Sequence, residues 1–127
     1  MSDNGEDWFG FERLEVWQKS SEFARVVYLT TRGFPKEEMF GLTMQLRRAS
    51  VSVVASIAEG ASRDSGKERA RFFEIAYGSL WEIAALLNIA LGQGIIEKSE
   101  VDSLRSEVAK LCRMVFGLKR SARSPSK

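Results

Sequence analysis

Apolar residues recur at alternating three- and four-residue steps through most of the chain, and no segment sustains a two-residue alternation. That is the periodicity of helices that each bury one stripe. The first segment runs from about residue 11 to 31, with Leu14, Trp17, Ala24 and Val27 along one face and Phe23 beside it. Gly33-Phe34-Pro35 stops it, and Pro35 suits the first turn of a following helix. The second runs from about 36 to 60, with Leu42, Leu46, Ala49 and Val53 on its stripe. Gly60 is expected to end it, since glycine tolerates the left-handed conformation of many helix ends. The third, 66–92, opens on Ser65 and Glu68, the spacing of a capping box. Phe73, Ala76, Leu80, Ile83, Leu87 and Ala90 follow, and Gly92 and Gly94 close it. The fourth, 99–120, has Ser99 and Asp102 as a weaker cap, then Val101, Leu104, Val108, Leu111, Val115 and Leu118.

Four such stripes on short loops predict an all-α fold: an up-down-up-down antiparallel four-helix bundle over residues 11–120. An acidic segment, 1–10, precedes it, and a basic tail, 121–127, is expected to be disordered.

At 127 residues, with 44% hydrophobic and 28% charged residues, the chain is one ordinary domain with enough apolar surface for a core. The net charge of +2 is small, but its distribution is uneven. Asp3, Glu6, Asp7, Glu12 and Glu15 face only Arg13 in the first fifteen residues, whereas Lys110, Arg113, Lys119, Arg120, Arg123 and Lys127 dominate the end. The single cysteine, Cys112, excludes an intrachain disulfide and a cysteine-based zinc site. The polar, acidic N-terminus is unlike a signal peptide. The most apolar run, 83–91, is broken by Asn88 and too short to span a bilayer. The expectation is a cytoplasmic protein without a membrane partner.

The segment QLRRASVSVVASIAEG, 45–60, puts two arginines at one end of an apolar helix and Glu59-Gly60 at the other. With the second and third helices antiparallel across a short turn, Arg47 and Arg48 are expected beside Ser79 and Gly78, within a turn of Glu82. A partly buried pair between Arg48, or else Arg47, and Glu82 would fix helix register more than it adds stability. A glycine inside a helix costs roughly 1 kcal/mol relative to alanine, so Gly78 is expected to permit close backbone approach, within the bundle or between subunits.

Several motifs occur in order: Phe11-x-x-Leu14-x-Val16-Trp17, GFPKEE at 33–38, GLTMQLRRASVSV at 41–53, SIAEG at 56–60 and FFEIAYGSLWE at 72–82. Together they resemble the four-helix-bundle proteins encoded in 23S rRNA intervening sequences, over about residues 11–118. The family pattern usually has asparagine where Ser56 stands. The resemblance implies a small helical bundle that can assemble as a ring-shaped homopentamer. It also implies kinship with accessory proteins of diversity-generating retroelements, basic rings thought to bind nucleic acid and a reverse transcriptase. Most members have no established biochemical activity. On this reading Arg47, Arg48, Glu59, Gly60, Gly78 and Glu82 serve the architecture first.

The residues leave three functional classes to weigh. Arg63, Lys67 and Arg71 cluster at the start of the third helix, where free backbone N–H groups also favour phosphate. With Lys119, Arg120, Arg123 and Lys127 they are candidate contacts to RNA or DNA. Five copies would carry about +10, and repeated patches could engage one nucleic-acid backbone polyvalently. No sequence-reading motif is present, so such binding should be salt-sensitive and weakly selective. The alternative is a protein-interaction scaffold, with Trp8, Phe9, Trp81 and Phe116 as aromatic anchors; Trp17 and Trp81 fit a core equally well. An enzyme is disfavoured because there is no histidine for a Ser-His or Cys-His nucleophile or for a Glu-x-x-His metal motif. Glu59, Glu74 and Glu82 are the candidate paired carboxylates, and Cys112 reads as a buried, inert thiol. Gly92-Gln93-Gly94 follows a helix, not the strand a dinucleotide loop requires, and no cofactor is expected.

Overall fold

The computed structural model describes residues 9–124. Trp8, the acids before it and Lys127 lie outside them. The described chain forms four helices: α1 (Glu15–Thr31), α2 (Leu42–Ala61), α3 (Gly66–Gly92) and α4 (Lys98–Arg123). Single 3-10 turns, Gly10–Arg13 and Lys36–Glu38, precede α1 and α2, and no strand occurs among the described residues. Cross-helix contacts run antiparallel: Ser52 with Ser79 between α2 and α3, Asn88 with Arg105 and Glu74 with Lys119 between α3 and α4. α1 packs mainly on α2.

The stripes expected for α2 and α3 are buried, and in α4 all but the half-buried Leu118 are. α1 differs. Val16, Ser20, Phe23, Val27 and Thr31 face inward, while Leu14, Trp17 and Ala24 are half-buried. The reason lies before the helix: Phe11 meets Trp17 edge-on at 4.9 Å, and Gln18 Nε2 donates to the Glu12 carbonyl at 2.8 Å. These contacts hold residues 10–13 in a separate turn, and Leu14 becomes an extended N-cap.

The start of α2 moves in the same direction. Pro35 leads into the 3-10 turn, and the Glu38 carboxylate accepts from the Leu42 amide at 3.1 Å, capping a helix that starts six residues later than the proline suggests. At α3, Ser65 Oγ accepts from the Glu68 amide at 3.1 Å. The reciprocal half of the box is replaced by a Glu68–Arg71 pair. α4 starts at Lys98 with Glu97 as N-cap and no side-chain cap, and Asp102 accepts from Lys98 at 2.9 Å. It runs through Ser121–Arg123, residues expected in a disordered tail, because the Ala122 carbonyl packs against Gly66.

The glycines redistribute. The α3 stop is at Gly94, the one described residue with positive φ, where Ile95 and Gly94 amides bond back to Ala90 and Leu91 carbonyls. Gly60 does not terminate α2 in a left-handed conformation; it is helical and buried. A β-carbon there would lie 2.6 Å from the Phe73 ring and 3.1 Å from the Phe72 β-carbon. Gly78, expected at a close approach, has open space around it within this chain. That α2–α3 contact sets a register different from the expected one: Ser52, not Arg47, faces Ser79.

Neither Arg47 nor Arg48 pairs with Glu82, even though this register brings Arg48 closer to it than the expected one. Arg47 turns to α1, donating to Thr31 Oγ1 at 2.8 Å and the Tyr28 carbonyl at 3.4 Å, with its guanidinium 4.7 Å from the Tyr28 ring centre. A cation there also meets the negative end of the α1 dipole. Arg48 and Glu82 stay exposed on the walls of one groove between α2 and α3.

By length and composition α3 could cross a membrane, with a mean hydropathy of 1.4 over its most apolar window. The run expected to be too short is therefore part of a longer apolar helix. Ala76, Leu80, Ile83 and Ala90 on that helix are 0% exposed, packed inside the bundle.

The two glycines should respond oppositely to alanine. Gly60→Ala forces the Phe73 ring to move and is expected to cost about 1–3 kcal/mol. Gly78→Ala meets no neighbour and is expected to stabilise by about 0.5–1 kcal/mol. Urea denaturation of both variants checks the pair, and a destabilised Gly78→Ala would mean that Gly78 does face a close contact.

Candidate nucleic-acid interface

The turn between α2 and α3 is four residues long; its Ser62 and Arg63 amides bond back to the Glu59 and Gly60 carbonyls, and its Arg63 and Asp64 carbonyls take side-chain donors. Arg69 supplies them, donating to the Arg63 carbonyl at 3.1 Å and the Asp64 carbonyl at 2.7 Å. Arg69 is thus a structural arginine of this end, one that the sequence pattern alone did not single out. With the turn held, Arg63 and Arg71 flank one aromatic ring: their guanidinium carbons lie 4.5 and 4.6 Å from the Phe72 centroid. Phe72 itself is buried at 9% exposure, so the two cations cover it while remaining exposed. Arg71 also pairs with Glu68 at 3.4 Å. Lys67 is exposed in the first turn of α3.

The contact of Gly66 with the Ala122 carbonyl brings the end of α4 to the same place. Arg120 and Arg123 are exposed there. Arg63, Lys67, Arg120 and Arg123 make no ion pair among the described residues. Five of the six described candidate cations therefore share one exposed end of the bundle.

The sixth, Lys119, is not available. It is 8% exposed and its ammonium reaches Glu74 Oε1 at 2.6 Å. The rings of Tyr77 and Phe116 lie 4.5 and 5.5 Å from its nitrogen. Aromatic faces and a carboxylate replace the water it loses. The hydrogen bond from Lys119 holds the Glu74 carboxyl below its ordinary pKa against the opposing effect of burial, and the charges of Lys119 and Arg123 add to the lowering. Residue-type counting placed Lys119 on the basic surface, but the stripe position after Leu118 carries it inward.

The remaining candidates disperse. Glu59 is exposed at the end of α2, and its backbone carbonyl, not its carboxylate, accepts from Ser62 at 2.7 Å. Glu74 and Glu82 are eight residues apart on α3, about 12 Å along its axis. No group of three or more His, Cys, Asp or Glu side chains suited to a metal forms among the described residues. Cys112 is half-buried beside Tyr77, Trp81 and Arg105, with burial pushing its thiol pKa up against the opposing charge of Arg113. Trp81 is 63% exposed and so stays out of the core, with Phe116 at 45% and Phe9 at 53%. Trp17 is half-buried and packed against the core.

A sequence model of the 23S rRNA-intervening sequence protein family matches residues 12–117. Among solved structures, the chain is similar to a protein with unknown function from the S23 ribosomal protein family, from Bacteroides thetaiotaomicron. The TM-score is 0.74 at 19% identity, covering 83% of this chain and 98% of that one. At that identity the likeness concerns the fold. Among curated proteins none matches.

The Lys119–Glu74 contact has a pH signature. Glu74→Gln removes the charge partner of a buried ammonium and, because Glu74 is half-exposed, is expected to cost only about 1 kcal/mol at neutral pH. A carboxyl with a depressed folded pKa stabilises above its unfolded pKa, and the gain disappears as pH falls through the folded value. The stability gap between wild type and Glu74→Gln should therefore close on acidification through the carboxylate range. Thermal unfolding across pH checks this; a gap independent of pH would assign the effect to packing.

Proposed function

The chain belongs to the 23S rRNA-intervening sequence protein family, and we propose that it is a non-enzymatic, cytoplasmic protein that binds RNA or DNA through the cationic end of its bundle. The observation that carries this reading is the convergence of Arg63, Lys67 and Arg71 with Arg120 and Arg123 around the N-terminus of α3. Guanidinium and ammonium groups there would meet phosphate oxygens together with the free amides of the first helical turn. Contacts of this kind position a backbone without reading bases, so affinity falls with salt and sequence selectivity is low. Assembly into a homopentamer, as the family resemblance implies, would present the cationic end five times and raise avidity without new contacts.

A second reading rests on a separate observation. Phe40 is 83% exposed and Trp81 63%, on grooves that also hold Met44 and Tyr77. Aromatics so placed suit a scaffold whose partners are proteins, including further copies of itself.

Fluorescence anisotropy with labelled single- and double-stranded RNA and DNA across a salt series separates the two. Binding is expected to weaken steeply with salt. The triple substitution Arg63→Gln, Lys67→Gln and Arg71→Gln should weaken it at low salt and reduce the log–log salt slope by about 2–3. Lys119→Gln is unsuitable, since it disturbs the interior. Absence of binding at low salt would overturn the proposal and leave the scaffold.

A further inference from the structure

α2 and α3 each carry a second row of residues at helical spacing, on the side away from the core. On α2 and the turn before it, the row is Phe40, Met44, Arg48, Val51 and Ala55. On α3 it is Ile75, Gly78, Glu82, Ala85 and Ile89. All are exposed except the half-buried Met44; Phe40, Val51, Ile75 and Ile89 are 83, 46, 42 and 50% exposed. Three- and four-residue steps of this kind are the pattern of a helix that packs on another helix, yet no described residue covers either row. Each row has one charge at its centre, Arg48 on α2 and Glu82 on α3. Neither has an ion-pair partner among the described residues.

We propose that the outer row of α2 in one copy of this chain packs, antiparallel, on the outer row of α3 in another, with Arg48 paired to Glu82 across the seam. Register, size and charge select a second copy as the occupant. Ser52 and Ser79 touch at 2.9 Å and so mark one level of the antiparallel pair. Counted from that level, Met44 stands opposite Ala85, Arg48 opposite Glu82, Val51 opposite Gly78 and Ala55 opposite Ile75, each within about 3 Å along the axis. Phe40 lies beyond Met44, towards Ile89. A rotation axis parallel to the bundle leaves such levels unchanged, so they hold between copies as within one. The sizes complement each other: Met44 and Val51 meet the small Ala85 and Gly78, whereas Ile75 meets the small Ala55. The charges choose the partner row, since α2 on α2 would set arginine against arginine, and α3 on α3 glutamate against glutamate. The seam rests on the self-association reading above and does not depend on nucleic-acid binding.

Sedimentation equilibrium of the full chain, up to about 0.1 mM so that contacts tighter than that are populated, tests it. Wild type is expected to self-associate. Arg48→Glu and Glu82→Arg should each weaken association by about tenfold or more, because they put like charges across the seam. Mixing the two variants should restore association to near the wild-type affinity, since each supplies the charge the other has lost. The milder Arg48→Gln and Glu82→Gln should weaken it less and should not rescue each other. Both side chains are exposed and unpaired among the described residues, so neither change breaks a bond that holds the fold. An unchanged helical circular dichroism spectrum checks this. A monomeric wild type overturns the seam together with the self-association reading. A wild type that associates, with charge reversals that leave association intact or do not restore one another when mixed, overturns the seam alone.

Discussion

Gly60 has no side chain, and the Phe73 ring occupies the space a β-carbon would fill. Much of the arrangement between α2 and α3 depends on that approach. It fixes how far one helix has slid along the other, placing Ser52 and Ser79 hydroxyls within 2.9 Å, while Arg47 lies on the face of α2 that meets α1. It also seats Phe72, whose β-carbon lies against the same glycine, so that the ring is covered from outside by Arg63 and Arg71. A second close approach, Gly66 on the Ala122 carbonyl, docks the end of α4 at the same place. Two glycines with helical backbones thus assemble the cationic end, through the volume they leave free.

Charges in this bundle divide by what surrounds them. Arg47 and Arg69 spend their donors on backbone carbonyls and a hydroxyl, tying a helix end and a turn. Lys119 is enclosed by Glu74, Tyr77 and Phe116. Arg63, Lys67, Arg120 and Arg123 remain exposed and without ion-pair partners among the described residues. The formal charge of +2 describes none of these situations. What a partner would meet is an end from which the structural cations have been withdrawn.

Much of this was legible beforehand where one residue type has one physical use. The stripes of α2, α3 and α4 predicted which faces are buried, because an apolar side chain at helical spacing has little alternative to the core. The Ser65 cap and the stop at Gly94 were legible for the same reason. Arginine and glycine were misread where they have several uses. Arg47 faced a choice between Glu82 and the end of α1, Gly60 between ending a helix and yielding space to a ring. Nothing in the local pattern decides such choices.

The chain by itself therefore determined the number of helices, their antiparallel order and most of their buried faces, since these follow from periodicity, loop length and local backbone preference. Tertiary structure decided the register of α2 on α3, the late starts of α1 and α2, the burial of Lys119 and the gathering of Arg63, Lys67, Arg71, Arg120 and Arg123 at one end. The physical reason is range. Hydrophobic periodicity acts over one or two turns of a single helix, whereas a glycine meeting a ring, or an ammonium meeting a carboxylate, is settled between residues distant in sequence that meet only once the helices have packed.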